Sequence, residues 1–431
     1  MMHYKNIKQC RVCHSERLLP VLNIKEQHIA TTFVKSNKDH PMANVKIPLT
    51  LILCQTCGLV QLLETVHADL LYQNYFYRTA VNETMRRDLN NLVYDTLARI
   101  SAKPGDYVVD IGANDCAMIS MFPGNLNRIG VEPAKNIHWD HVDKSILIIN
   151  DYFSKSAVLS ATKNRKVKII TSTAMFYDLD DPNKAAQDIK DLLEQDGICT
   201  IQVSYLATTI KDMNFYDIVH EHLEYYTLGT MSYLFERNGL SIFDAETNAV
   251  NGGSLRVYIT HKENKRPRTQ KIDQILAEEE KLKLREPETY DHYGKKITQL
   301  AKLARYFILN EIKANKLVIG LGASTKGNVM LQICGITKEI LPYISERNKE
   351  KVDLRTLGTD IALISEEAAH RLNPSTMLVI PWNFKEEIVK REHQYIQEGG
   401  KLLFLMPYPY YIDREGEKRL DENSSLYLDT Q

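Results

Sequence analysis

Apolar residues fall along this chain in short continuous runs, separated by longer stretches in which they recur at helical spacing. From Asp106 the alternation is regular. It predicts strands near Tyr107–Ile111, Arg128–Val131, Ser145–Ile149, Lys168–Thr171 and Ile198–Val203, with helices between them, the pattern of a doubly wound sheet. A long amphipathic helix is expected from about Asn82 to Ser101, and another helix begins near Leu228. Asn251-Gly252-Gly253-Ser254 turns into a strand that closes this series. Ile272 to Asn315 reads as a charged helical region interrupted near Pro287, with acids and bases mixed as on a solvated face. A second α/β series starts at Leu317, with strands near Ile340–Ser345, Thr376–Ile380 and Lys401–Met406. His14 to Leu53 reads as short strands and loops, and Asp413 to Gln431 as a polar, loosely held tail. The expected division is 1–70, 71–262, 263–412 and the tail 413–431.

Composition narrows the function. The chain has 431 residues, 44% hydrophobic and 25% charged, with a formal net charge of −1. That balance gives no electrostatic footprint for nucleic acid. The start of the chain lacks the apolar core of a signal peptide, and no apolar run approaches the roughly 20 residues needed to span a bilayer. The expectation is a cytoplasmic protein without a membrane partner, compatible with a monomer. The seven cysteines are an odd number, unlike a secreted disulfide framework. Four of them form two C-x-x-C pairs, Cys10/Cys13 and Cys54/Cys57, the spacing of a tetrahedral zinc site. Four sulfur ligands leave no open position, so this zinc is structural.

Candidate chemistry lies at the ends of the predicted strands. Val108-Val109-Asp110-Ile111-Gly112-Ala113-Asn114 is a strand running into a glycine turn, and Gly130-Val131-Glu132 ends the next strand in an acid. The turn lacks G-x-G-x-x-G and so does not cradle a pyrophosphate, whereas an acid at the second strand end suits ribose hydroxyls. Asp110, Gly112, Asn114 and Glu132 resemble the nucleoside site of class I S-adenosylmethionine-dependent methyltransferases. Asp151 and Phe153, after the third strand, are placed for the adenine.

His220-Glu221-His222 follows the fifth strand. Its histidines are two apart rather than the four of a metalloprotease helix, leaving a metal site, a solvated loop and an acid–base site, the last favoured by its position at the carboxyl edge. The tyrosine cluster at 72–77 fits either interface packing or a site. In the second α/β series, Gly322-Ala323-Ser324-Thr325-Lys326-Gly327-Asn328 matches neither a Walker loop nor the dinucleotide fingerprint, and offers a nonstandard phosphate seat.

Taken in order, these motifs resemble the three-domain sugar C-methyltransferases of deoxysugar pathways over nearly the whole chain. The resemblance implies an N-terminal zinc module, a central S-adenosylmethionine domain and a C-terminal Rossmann-like domain for a nucleotide-linked 4-keto-6-deoxy sugar methylated at carbon 3. It implies that Glu221, His222 and a tyrosine, Tyr75 or Tyr77, lie in the active site. It further places Asn251, Ser254, Arg256, Ser324, Lys326, Asn328 and Arg347 toward the substrate. Two departures stand out: Val219 replaces the tyrosine of the family's Tyr-His-Glu-His-Leu, and Cys116 replaces a glycine of the first turn. An O- or N-methyltransferase and a noncatalytic zinc-containing binding protein are the alternatives.

Overall fold

The computed structural model describes residues 3–38, 40–72, 76–79 and 83–420. Packing divides the chain into two compact units. One comprises Met1–Val21, Leu51–Thr208 and Glu221–Thr289, the other Leu22–Thr50, Thr209–His220 and Tyr290–Gln431.

In the first unit, seven strands form one sheet in the order Leu240–Asn248, Ser254–His261, Leu193–Ser204, Val167–Thr173, Tyr107–Ile111, Asn127–Val131, Leu147–Ile149. Five are parallel, as their apolar runs predict. Ser254–His261 runs antiparallel to both of its neighbours, which short β-connections permit. Register sets Asp110 beside Gly130 on one side and Thr171 on the other, so the expected site residues share the carboxyl edge. The helix Glu83–Ala98 lies over one face. Its Leu89, Leu92 and Val93 pack with Val108, Ile119, Phe122 and Ile169 in a buried cluster.

The second unit is built on a nine-stranded sheet. Its parallel centre runs Lys401–Phe404, Thr376–Val379, Val318–Leu321, Tyr343–Glu346, Ala362–Ser365. Two features differ from expectation. Phe33–Val34, from the stretch read as part of the zinc module, pairs with Arg355–Thr356 at one edge of this sheet. At the other edge Gly416–Arg419, read as loose tail, forms a hairpin with Tyr410–Asp413, leaving only 421–431 of the tail outside the described residues. No helix among the described residues is long and apolar enough to cross a membrane.

Candidate active site and metal centre

The two knuckles converge. Cys10 Sγ lies 3.6 Å from Cys57 Sγ and Cys13 Sγ 3.4 Å from Cys54 Sγ, and all four ligand atoms fall within 4.8 Å of one another. Four sulfurs at about 2.3 Å from a tetrahedral zinc stand about 3.8 Å apart, so the set fits the ion. The Cys57 thiol, beside Cys10, lowers the Cys10 pKa against burial, while the same contact raises that of Cys57 and burial raises that of Cys13. Thiolate is the form that ligates. Arg11, between the ligands, donates to the Leu62 carbonyl (2.7 Å) and to Thr65 Oγ1 (2.7 Å), fastening the knuckle to the following strands.

At the first turn the backbone enters the left-handed region at Gly112 (φ 77°), and a Cβ there would meet Met175 at 2.8 Å. The Gly112 N–H donates to the Val131 carbonyl (2.9 Å), and Glu132 accepts from the N–H groups of Asn114 (2.8 Å) and Ala134 (2.9 Å). A carboxylate has about four acceptor directions, so two N–H bonds leave Glu132 capacity for hydroxyl donors. Burial raises its pKa, opposed by these N–H groups and by Arg78. Asp110, buried, accepts from Thr171 Oγ1 (3.0 Å), and burial pushes it up to about 8. Cys116 occupies the left-handed region (φ 63°), which explains why glycine suits that position in the family it resembles. Asp151 is exposed and Phe153 half-buried just beyond the third strand.

The side chain of Asn114 holds the aromatic segment to this turn: its Nδ2 donates to the Tyr77 carbonyl (3.1 Å) and its Oδ1 accepts from the Thr79 N–H (3.4 Å). The Tyr77 hydroxyl is buried without a hydrogen-bond partner among the described residues, and burial raises its pKa, with Asp115 adding to the effect. Tyr75 lies outside the described residues.

The His-Glu-His segment is divided between the units. His220, in the second, is buried, its Nε2 3.1 Å from the Ile47 carbonyl, and desolvation pushes it down to about 4. It is a neutral, structural histidine. Glu221 and His222, in the first unit, are also buried, and the main chain around them is fixed from three sides. Leu62 N–H donates to the Leu223 carbonyl (2.9 Å), Leu223 N–H to the Tyr177 carbonyl (2.8 Å), and the Tyr72 hydroxyl to the Glu221 carbonyl (3.1 Å). Glu224–Tyr225 then pairs as a strand with Val60–Gln61. The Tyr177 ring packs on the His222 imidazole with centroids 4.0 Å apart. Tyr72 and Tyr177 were not singled out from the sequence. The sequence signal for Tyr72 was its place in the tyrosine cluster, and Tyr177 follows the fourth strand of the sheet.

Several residues expected near substrate are held within the protein. Arg256 is a buried cation bonded to Asp88 (2.9 Å), Asp95 (3.1 Å), Glu246 (3.1 Å) and Gln202 (2.9 Å). Its guanidinium balances three acids beside the sheet. Asn328 donates to the Leu357 carbonyl (2.9 Å) and accepts from Thr359 Oγ1 (2.7 Å). Ser254 Oγ donates to the Val250 carbonyl (2.9 Å), and Asn251 makes the left-handed turn at φ 55°. Lys326 pairs with buried Asp217, Arg347 stands 3.7 Å from Glu387, and Ser324 is half-buried in the turn after Leu321.

Three family models match the chain in series: a zinc binding domain over residues 10–72, a methyltransferase domain over 83–244 and a C-methyltransferase C-terminal domain over 249–407. The C-methyltransferase NovU of Streptomyces niveus is 27% identical over 411 residues, 95% of this chain and 98% of NovU. Among solved structures, an S-adenosylmethionine-dependent methyltransferase from Clostridium acetobutylicum is similar over 41% of this chain and 92% of its own, at 10% identity and a TM-score of 0.33. Magnesium protoporphyrin IX methyltransferase from Synechocystis, with bound S-adenosylhomocysteine, is similar over 42% of this chain and 88% of its own, at 11% identity and a TM-score of 0.32. The three models follow one another in the order in which the knuckles, the seven-stranded class I sheet and the later sheet occur. By that succession the chain carries the domain series of an S-adenosylmethionine-dependent C-methyltransferase with an N-terminal zinc binding module.

Proposed function

We propose that the enzyme methylates carbon 3 of a nucleotide-linked 4-keto-6-deoxy sugar. The observation that carries this reading is His222: a buried imidazole packed on Tyr177, in a segment whose main chain is bonded both to the strand after the zinc knuckle and to the loop leaving the fourth strand. A carbon acceptor needs a base, because its proton must leave before the carbon can act as a nucleophile. His222 takes that proton from carbon 3. The charge then spreads onto the neighbouring keto oxygen, where preorganised donors stabilise it.

Tyr77 supplies such a donor. A buried hydroxyl without a partner costs about 1–3 kcal/mol, and a substrate oxygen relieves that cost. Val219, buried and apolar at the family's tyrosine position, offers no donor for the keto group. Tyr177 positions the base, and Glu221 orients it or binds a sugar hydroxyl. S-adenosylmethionine, seated by Gly112, Asn114 and Glu132 with Asp151 and Phe153 toward the adenine, supplies an electrophilic methyl group. Lys326 and Arg347 are the cations assigned to the diphosphate, exchanging Asp217 and Glu387 for phosphate oxygens.

The test is product analysis by mass spectrometry and NMR with a panel of nucleotide-linked keto sugars, run with and without deuterated water. A carbon-3 methyl group and carbon-3 deuteration in the absence of the methyl donor are expected. Methyl on oxygen or nitrogen would replace this reading with one that needs no enolate.

A further inference from the structure

Gln61 is wholly buried beside the four cysteines, on the strand Val60–Leu62. Its side-chain oxygen is engaged: Oε1 accepts from the Arg11 backbone N–H (3.1 Å) and from Arg11 Nη1 (3.4 Å). Both of these partners can only donate, so the oxygen of the amide must face Arg11 and the nitrogen must face away from it. That nitrogen, Nε2, has no hydrogen-bond partner among the described residues. A donor buried in this way calls for an acceptor, because leaving it unpaired carries its full desolvation penalty. The sulfur of Cys10 is close at hand. Its pKa is lowered chiefly by Cys57, against burial, and the N–H groups of Cys13 and Val12 and then the Gln61 side chain act in the same direction as Cys57.

We propose that Gln61, through Nε2, donates a hydrogen bond to the zinc-bound thiolate of Cys10. Four thiolates around one divalent ion leave excess negative charge on the sulfurs, and a fixed N–H spreads it without competing for the metal. Cys13 and Val12 supply such donors from within the knuckle. Gln61 supplies one from outside it, on the strand that pairs with Glu224–Tyr225, so the residue that steadies the metal belongs to the strand that receives the segment following His222. A rival acceptor stands nearby. Glu224 lies opposite Gln61 in the register, and both of its oxygens are buried without a hydrogen-bond partner among the described residues, with Arg11 Nε 3.7 Å from Oε1. A glutamine that merely paired with Glu224 across the strands would be just as buried, so the test must sense the sulfur itself.

Cobalt(II) in place of zinc in the full chain provides that sense, through the charge-transfer band from thiolate to metal. Gln61→Glu keeps the side-chain length and the oxygen that faces Arg11, and has no N–H to give. It is expected to move the band to longer wavelength, because a sulfur without its hydrogen bond holds its electrons less tightly. Zinc affinity, measured by competition with a chelator, is expected to fall about 10–100-fold, the usual effect of losing a partner of a metal ligand. Gln61→Met, which removes donor and acceptor together, should shift the band in the same direction, and Glu224→Gln should leave it in place. An unmoved band and unchanged zinc affinity in Gln61→Glu overturn the proposal. A band shifted as far by Glu224→Gln as by Gln61→Glu also overturns it, by showing that Gln61 acts through Glu224. The wild type carries a test that needs no variant: loaded with a magnetic isotope of cadmium, it is expected to show one glutamine side-chain amide proton coupled to the metal across the hydrogen bond. Absence of any such coupled amide overturns the proposal even should the variants fail to fold.

Discussion

His220 and His222 stand two residues apart and have opposite situations. His220 places its Nε2 against the Ile47 carbonyl in a fully desolvated setting, so protonation is opposed and the ring serves as a neutral peg. His222 has its ring face against Tyr177, and the main chain around it is bonded to Leu62 and Tyr72. The difference shows that adjacent histidines of one motif can be placed by different kinds of contact.

Three measurements test this contrast, from the largest effect to the smallest. His222→Ala is expected to lower methyl transfer by at least about 100-fold, the low end for a removed general base, and to lower carbon-3 proton exchange with solvent by a similar factor. S-adenosylhomocysteine affinity should be retained. Exchange at the wild-type rate would move the base elsewhere, to Tyr77 or Glu221. Tyr177→Ala is expected to lower kcat about 10-fold with little change in KM, in keeping with the ~0.5–1.5 kcal/mol typical of an aromatic contact. Tyr177→Phe keeps the ring and should recover most of that loss. Failure of phenylalanine to rescue would assign the role to the hydroxyl.

The smallest effect concerns pH and stability. The His220 pKa is depressed in the folded chain, so between its ordinary value of 6.5 and about 4 the unfolded chain binds the extra proton. Its contribution to stability is therefore present above pH 6.5 and is lost as pH falls through that window. His220→Gln should flatten the decline of Tm between pH 6.5 and 4 while leaving kcat at neutral pH within a few-fold. An unchanged acid limb would show that the ring at position 220 does not control it.

Much of this was legible in the sequence, for reasons that differ by element. Tyr107–Ile111, apolar but for Asp110, and Val318–Leu321 are buried and read as strands, and the two C-x-x-C pairs carry their ligand spacing locally. Phe33–Val34 is a two-residue strand with no period to detect, and its partner lies over 300 residues away. Arg256 looked available because the acids that engage it, at positions 88, 95 and 246, come from other elements. The contact between Tyr177 and His222 was hidden for the same reason: tertiary packing, not spacing, brings the rings together.

The bond from Leu62 N–H to the Leu223 carbonyl bears on the order in which the enzyme becomes competent. The strand that offers this N–H begins three residues after the last knuckle cysteine, and Arg11, lying between two ligands, grips the same Leu62 through its carbonyl. A small cysteine-ligated module gains its fold from its metal. A newly made chain therefore has no fixed surface on which to lay the His222 segment until zinc has closed the knuckles. An ion without a part in the reaction would then matter before it, by fixing the strand against which the His222 segment is laid.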